Sequence, residues 1–215
     1  MVITIQFILN VIMKINNEKH ILSEKNFTPN ICIKKQIILG HSFNHDMKHV
    51  IGWNTRNNGF YNKTAAFSID AAGLVYKHFD PAFHSNYFND KTLDVKSIVI
   101  ILDNDGWLTK DTEKKEYITW VGDIYNKSSD VLEKRWRNYR YWAPYSKEQF
   151  DSAVELVISL CDEFGIPKTV IGHNTKVESL NNYTGVLYKS NLDKNYTDLS
   201  PAWDFEGFKN KIETI

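Results

Sequence analysis

The sequence predicts an α/β (α+β) single domain, a central mixed β-sheet flanked by helices, and three stretches carry that prediction. "KSIVIILDN" (96–104) is continuously apolar in its middle, as a central strand covered on both faces tends to be. Ser146 opens a segment in which Phe150, Ala153, Val154, Val157, Leu160, Cys161 and Phe164 recur every three or four residues, one apolar stripe of a helix. "TAAFSID" and "LVYKHF" flank "AAG" (71–73), the pattern of a β-hairpin with its glycine in the turn.

Taken in order, the chain starts with "MVITIQFILNVIMKINN", apolar over too few residues to span a bilayer, which takes about 20. No Lys or Arg precedes the apolar run and no small-residue cleavage site follows it, so a β-strand, or sequence upstream of a start at Met13, is expected rather than a signal peptide. "KQIILG" (35–40) is a short apolar run bounded by glycine and reads as a buried strand ending at His41. Met47, Val50 and Ile51 give "HDMKHVIGW" (45–53) helical spacing. The helix from Ser146 starts with a capping box, Ser146 with Gln149, and Gly165 and Pro167 stop it after Phe164. "KTVIG" (168–172) reads as the next strand, delivering His173 at its end. Residues 1–32 are read as an N-terminal extension and 33–215 as the functional domain.

Composition narrows the function classes. The 215 residues suit one domain with a sizeable core. Lys plus Arg (26) balance Asp plus Glu (26), so no global basic field favours nucleic acid. Cys32 and Cys161 are far apart with no CxxC, which indicates two free thiols rather than a zinc ribbon or a disulfide framework.

His173 closing a strand and Asp198 entering the Pro-bearing turn "TDLSPAWDF" (197–205) can point at one centre, as the ligands of a catalytic zinc do when they leave one coordination position open. The bland alternatives are an ordinary strand-end histidine and an Asx-type cap on the Leu199–Ser200–Pro201 turn. "RWRNYRYWAPY" (135–145) interleaves aromatics and arginines; it is either a surface for sugars and peptide carboxylates or a loop tucked over the core. No His-Glu-x-x-His helix is present, which excludes the common metalloprotease pattern.

Roughly residues 33–209 resemble the zinc-dependent N-acetylmuramoyl-L-alanine amidases of the phage-lysozyme and peptidoglycan-recognition-protein type. "IILGHS" (37–42) resembles the first-ligand strand, "AAFSIDAAGLVYKHFDPAFHSNYF" (65–88) the hairpin and cleft wall, and residues 145–174 the helix, strand and second-ligand histidine. "TDLSPAWDF" is similar to the third-ligand turn. The resemblance implies Zn2+ held by His41, His173 and Asp198, with His84 and Phe83 lining the substrate groove.

Three positions depart from the family pattern. The first-ligand slot holds Gly40, with His41 one residue later, so a bulge at Gly40 is expected to turn His41 inward unless the ligand is lost. Ala66 stands where the family often has a histidine, and Tyr196 where it commonly has the oxyanion-stabilising lysine. Lys189, Lys194 or the Tyr196 hydroxyl would then take that catalytic role.

The implied activity is hydrolysis of the amide between N-acetylmuramic acid and L-alanine of bacterial peptidoglycan, as a phage or bacterial lytic enzyme. The alternative is the same fold with an incomplete metal site, kept for peptidoglycan binding or as a virion part. A monomer with no membrane partner is expected, made in the cytoplasm and reaching the wall by lysis, holin-like release or virion carriage.

Overall fold

The computed structural model describes residues 14–177, 179 and 182–214. Its strands are β1 (Ile15–Asn16), β2 (Gln36–His41), β3 (Phe67–Ile69), β4 (Val75–Lys77), β5 (Ser97–Leu102), β6 (Trp107–Asp111), β7 (Glu116–Thr119), β8 (Leu132–Trp136), β9 (Tyr139–Trp142) and β10 (Gly185–Tyr188). Helices are α1 (Lys48–Thr55), α2 (Lys91–Lys96), α3 (Lys147–Phe164) and α4 (Phe205–Glu213). The main sheet is mixed and runs β1-β4-β3-β5-β2-β10. β5, the run expected to be central, pairs in parallel with both β2 and β3, and all six of its residues are buried. β3 and β4 form the expected antiparallel hairpin. Its turn is closed by Asp70 Oδ1, which accepts the Ala72 and Leu74 N–H groups at 2.9 Å each, and Gly73 takes φ 82°.

Helices cover both faces of this sheet. The α3 stripe buries Ala153, Val154, Val157, Leu160 and Cys161 in one cluster with Ile37, Leu39 and Val186, joined by Phe208 and Ile212 of α4. On the other face Ile38 and Leu187 meet Leu93 of α2. Leu160 is 2% exposed. Leu160→Ala is expected to lower stability by about 2–5 kcal/mol through the cavity it leaves, with function per folded molecule unchanged. Urea unfolding alongside a functional assay checks this; lost function at unchanged stability would contradict it.

Several expectations need correction. Ser146 Oγ accepts the Gln149 N–H at 3.0 Å, but the capping box is not reciprocal. The Gln149 amide turns into the core, where Nε2 donates to Ile69 O at 2.9 Å and Asp103 O at 3.2 Å. Two buried strand-end carbonyls need a donor more than an exposed cap does. The expected strand over 168–172 reduces to one parallel bridge, Val170 with Val186, because the chain turns at once, Thr175 N–H closing on Gly172 O at 3.1 Å. The strand expected at the chain start is seen only at Ile15–Asn16, parallel to β4; residues 1–13 lie outside the described residues.

A second sheet, β7-β6-β9-β8, was not expected. Residues 135–145, read as a loop or a sugar surface, supply its β8–β9 hairpin, with Trp142 fully buried at its centre. Cys32 and Cys161 are free, as expected. Among the described residues no helix is long and apolar enough to cross a membrane.

Candidate active site

The site is set by the register at the ends of β2 and β10. β2 pairs with β5 without interruption from Gln36–Ser97 to His41–Leu102, so the bulge expected at Gly40 is absent. Side chains alternate along a strand, and His41 therefore stays on the face opposite Gly40. There it is 2% exposed, with Nδ1 2.7 Å from the Tyr145 hydroxyl and the ring edge-on to Phe43 at 4.3 Å. Burial pushes its pKa down to about 4, with Asp198 opposing and Lys189 adding. His41 is neutral at pH 7, and its Nε2 is buried without a partner.

On the Gly40 face a different pair meets. Tyr188 of β10 lies opposite Leu39, so Lys189, the next residue, comes alongside Gly40. Its Nζ is 3.2 Å from Asp198 Oδ2; the Asp198 side chain is fully buried and that of Lys189 only 15% exposed. Ser190 N–H donates to the Asp198 carbonyl at 2.5 Å, fastening the two segments. Neither carboxylate oxygen makes a well-aligned hydrogen bond, so the ammonium is what compensates Asp198. The Lys189 charge lies 4.6 Å from the Tyr196 ring centre and 5.4 Å from that of Tyr87. Burial opposes that charge, but Asp198, Tyr87 and Tyr196 outweigh it and hold the lysine pKa above its ordinary value.

His173 is elsewhere. Its ring stacks on Phe205 at 3.9 Å and leans on Trp136 at 5.0 Å. Burial first, then Lys134 and Arg137, lower its pKa to about 4. The three residues expected to hold zinc are differently engaged: His41 Nδ1 faces Tyr145, His173 sits on aromatics with its Nε2 buried and unpartnered, and Asp198 is paired with a cation. Among the described residues no three His, Cys, Asp or Glu side chains converge as metal ligands would. As they stand, the donors do not fit a zinc ion, which needs its protein ligands at about 2.0–2.2 Å from one point.

Lys189 and Tyr196 do come together, on the floor of a groove of about 460 Å³ that also takes in His41, Tyr87, Trp107 and Trp120. Lys194, the other candidate oxyanion donor, is exposed in a turn outside this groove. His84 and Phe83 do not line the groove either. The His84 backbone bridges to Thr28 and its Nδ1 lies 3.5 Å from Cys32 Sγ, while Phe83 stacks on Phe27 at 5.9 Å. Both hold the 27–32 segment against the domain. His45 pairs with Asp105 at 2.9 Å and lines a separate acidic hollow.

Sequence reading missed the residues that hold the site in place. Arg137, at the tip of the β8–β9 hairpin, donates from its two terminal nitrogens to Ser190 O at 2.9 Å and Asp193 O at 3.1 Å. Trp136 Nε1 donates to Asn174 Oδ1 at 2.8 Å. The hairpin thus clamps both the Lys189 turn and the His173 turn. Ser68, His49 and Asp103 form a Ser-His-Asp chain, with Ser68 Oγ 2.9 Å from His49 Nε2 and His49 Nδ1 3.2 Å from Asp103 Oδ1. This is a structural tie rather than a nucleophile. Ser68 is fully buried in β3, and its oxygen is shared with His78 Nε2 at 2.8 Å.

A family model described as N-acetylmuramoyl-L-alanine amidase matches residues 33–184. No individually curated protein matches the chain. Among solved structures, the PlyG catalytic domain is similar with a TM-score of 0.55 at 13% identity, covering 94% of each chain. PlyL is similar with a TM-score of 0.53 at 12% identity, over 94% of this chain and 96% of that one. AmiD of E. coli, solved with the substrate anhydro-N-acetylmuramic acid-L-Ala-D-γ-Glu-L-Lys, gives 0.50 at 11% identity, over 90% of this chain and 66% of that one. At such identities the likeness is one of fold. Lys189 and Asp198 lie beyond the span that the family model matches. That span covers most of the sequence, from the strand leading to Gly40 through the helix and up to the residue before β10, and on it the chain belongs to the N-acetylmuramoyl-L-alanine amidase family.

Proposed function

We propose that the chain hydrolyses the amide between N-acetylmuramic acid and L-alanine of bacterial peptidoglycan, at the groove over Lys189. The observation that carries this, beside the family assignment, is a desolvated ammonium facing the floor of an aromatic-lined groove at the carboxyl ends of β2 and β5. Aromatic faces such as Trp107 and Trp120 suit sugar rings, and Arg56, Lys63 and Lys189 suit the carboxylates of a stem peptide. Lys189 would hold negative charge on the scissile carbonyl oxygen, a contact whose loss costs about 2.7–4 kcal/mol in comparable sites.

The family is generally zinc-dependent, the metal supplying hydroxide and a Lewis acid. Since His41, His173 and Asp198 do not fit that metal here, no step is assigned to it. A second reading, recognition of the same junction without cleavage, is favoured by one observation: the Lys189–Asp198 ion pair, at 3.2 Å, engages the carboxylate that a metal would use. In both readings the partner is bacterial cell wall, met by a single copy of the chain.

Purified cell wall incubated with the chain separates the two. Hydrolysis is expected to expose new L-alanine amino groups without forming reducing ends. Sedimentation with the wall but no new amines would instead establish binding alone, and reducing ends would point to a glycosidase and end both readings.

A further inference from the structure

We propose that the Lys189 ammonium is the resident cation of this site, standing in place of a ligand-held metal, so that Asp198 serves as an ion-pair partner rather than as a metal ligand. The proposal deepens the functional reading and rests on the same family assignment. It makes no claim about whether the amide is cut.

The geometry of position 40 comes first. A Cβ placed on Gly40 would lie 2.7 Å from Asp198 Oδ2 and 3.5 Å from Lys189 Cδ. The first distance is closer than atoms of that kind approach, so any side chain at 40, a histidine included, would force the Asp198 carboxylate out of its present position. The slot that would carry a ligand is the space the pair occupies. Register brings the lysine there: β10 follows β2 residue for residue up to Tyr188 opposite Leu39, and Lys189 is the next residue, beside Gly40.

Charge balance comes second. Asp198 is fully buried and its counter-ion is 3.2 Å away, with a side chain 15% exposed. One carboxylate and one ammonium leave the pocket neutral. A divalent ion added at Asp198 would put three positive charges against one negative in a site with little water to screen them. Metal and lysine therefore compete for the Asp198 carboxylate.

The fate of the other donors comes third. His41 keeps Nδ1 at Tyr145 and His173 is stacked on Phe205, each with Nε2 buried and unpartnered, and among the described residues the two do not converge with Asp198 on one point. Without a metal the first-ligand position has nothing to hold, and a glycine there is what lets the Asp198 carboxylate approach so closely.

The test uses the full chain as wild type, Asp198→Asn and Lys189→Ala, equilibrated with zinc and then passed through a competing weak chelator. Zinc per chain is measured by elemental analysis and the melting temperature with and without zinc. The wild type is expected to retain no zinc and to melt at the same temperature with or without it. Lys189→Ala should melt lower than wild type, and zinc should raise it by several degrees, because the carboxylate is then free to take another cation. Stoichiometric zinc in the wild type that is lost in Asp198→Asn would overturn the proposal, as would a zinc-induced rise in the wild type as large as that in Lys189→Ala. Zinc retained stoichiometrically by both the wild type and Asp198→Asn would overturn it as well, since the chain would then hold a metal alongside the ammonium. Amine release from cell wall is scored separately, so failure of the metal claim and failure of the cleavage claim are told apart.

Discussion

Asp198→Ala is expected to destabilise the fold by about 3–5 kcal/mol, the cost of leaving one member of a buried ion pair without its partner. Asp198 is fully buried, and beside Lys189 Nζ, 3.2 Å away, the described residues place the side chains of Tyr87 and Tyr196 but no second anion. The lysine must then lose its proton, drag water in, or pull the turn over Lys189–Asn191 away from β2. Urea unfolding at pH 7 reads the loss. A double variant, Asp198→Leu with Lys189→Met, should recover most of it, because replacing both charges by apolar groups of similar volume removes the orphan as well as the pair. If Asp198→Ala unfolds within about 1 kcal/mol of the wild type, the pair is worth no more than a solvated surface bridge, and the account of this centre as desolvated fails.

Trp142→Ala should cost a comparable amount, about 3–5 kcal/mol for a buried indole, and should also impair the groove, although Trp142 does not line it. Trp142 is fully buried between β8 and β6, donates Nε1–H to Lys134 O at 2.7 Å, and packs on Trp136 and Tyr139 at 5.5 and 5.9 Å. Without it the β8–β9 hairpin loses its centre and Arg137 loosens its grip on Ser190 O and Asp193 O. Sedimentation with cell wall, measured under conditions where the variant is still folded, is expected to fall at least several-fold. Wild-type binding by a destabilised Trp142→Ala would mean that the Lys189 turn stands without the hairpin.

Elements whose pattern is local were legible in the sequence. The central strand showed as an unbroken apolar run, α3 as one stripe between Ser146 and Gly165, and the hairpin as two short strands about Gly73; together they were enough for the fold class, while the family showed in the blocks over 145–174 and 197–205. The second sheet was not legible, since "WLTKD" and "EYITW" are short and half-exposed, and the aromatics of 135–145 suit a strand as well as a loop. β10 was hidden in the same way: it is four residues long and all are buried, too short for a periodic pattern.

At the site the sequence by itself determined which residues could matter, His41, His173, Asp198, Lys189 and Tyr196, and it marked Gly40 as the place where the family pattern breaks. It could not determine which of them meet. That was decided by the parallel register of β10 on β2, which brings Lys189 beside Gly40, and by the uninterrupted pairing of β2 with β5, which keeps His41 on the other face. The physical reason is that a strand sends successive side chains to opposite faces. A one-residue offset at Gly40 therefore exchanges a metal ligand for an empty space, and only the folded partners show that the Asp198 carboxylate, paired with Lys189, fills it.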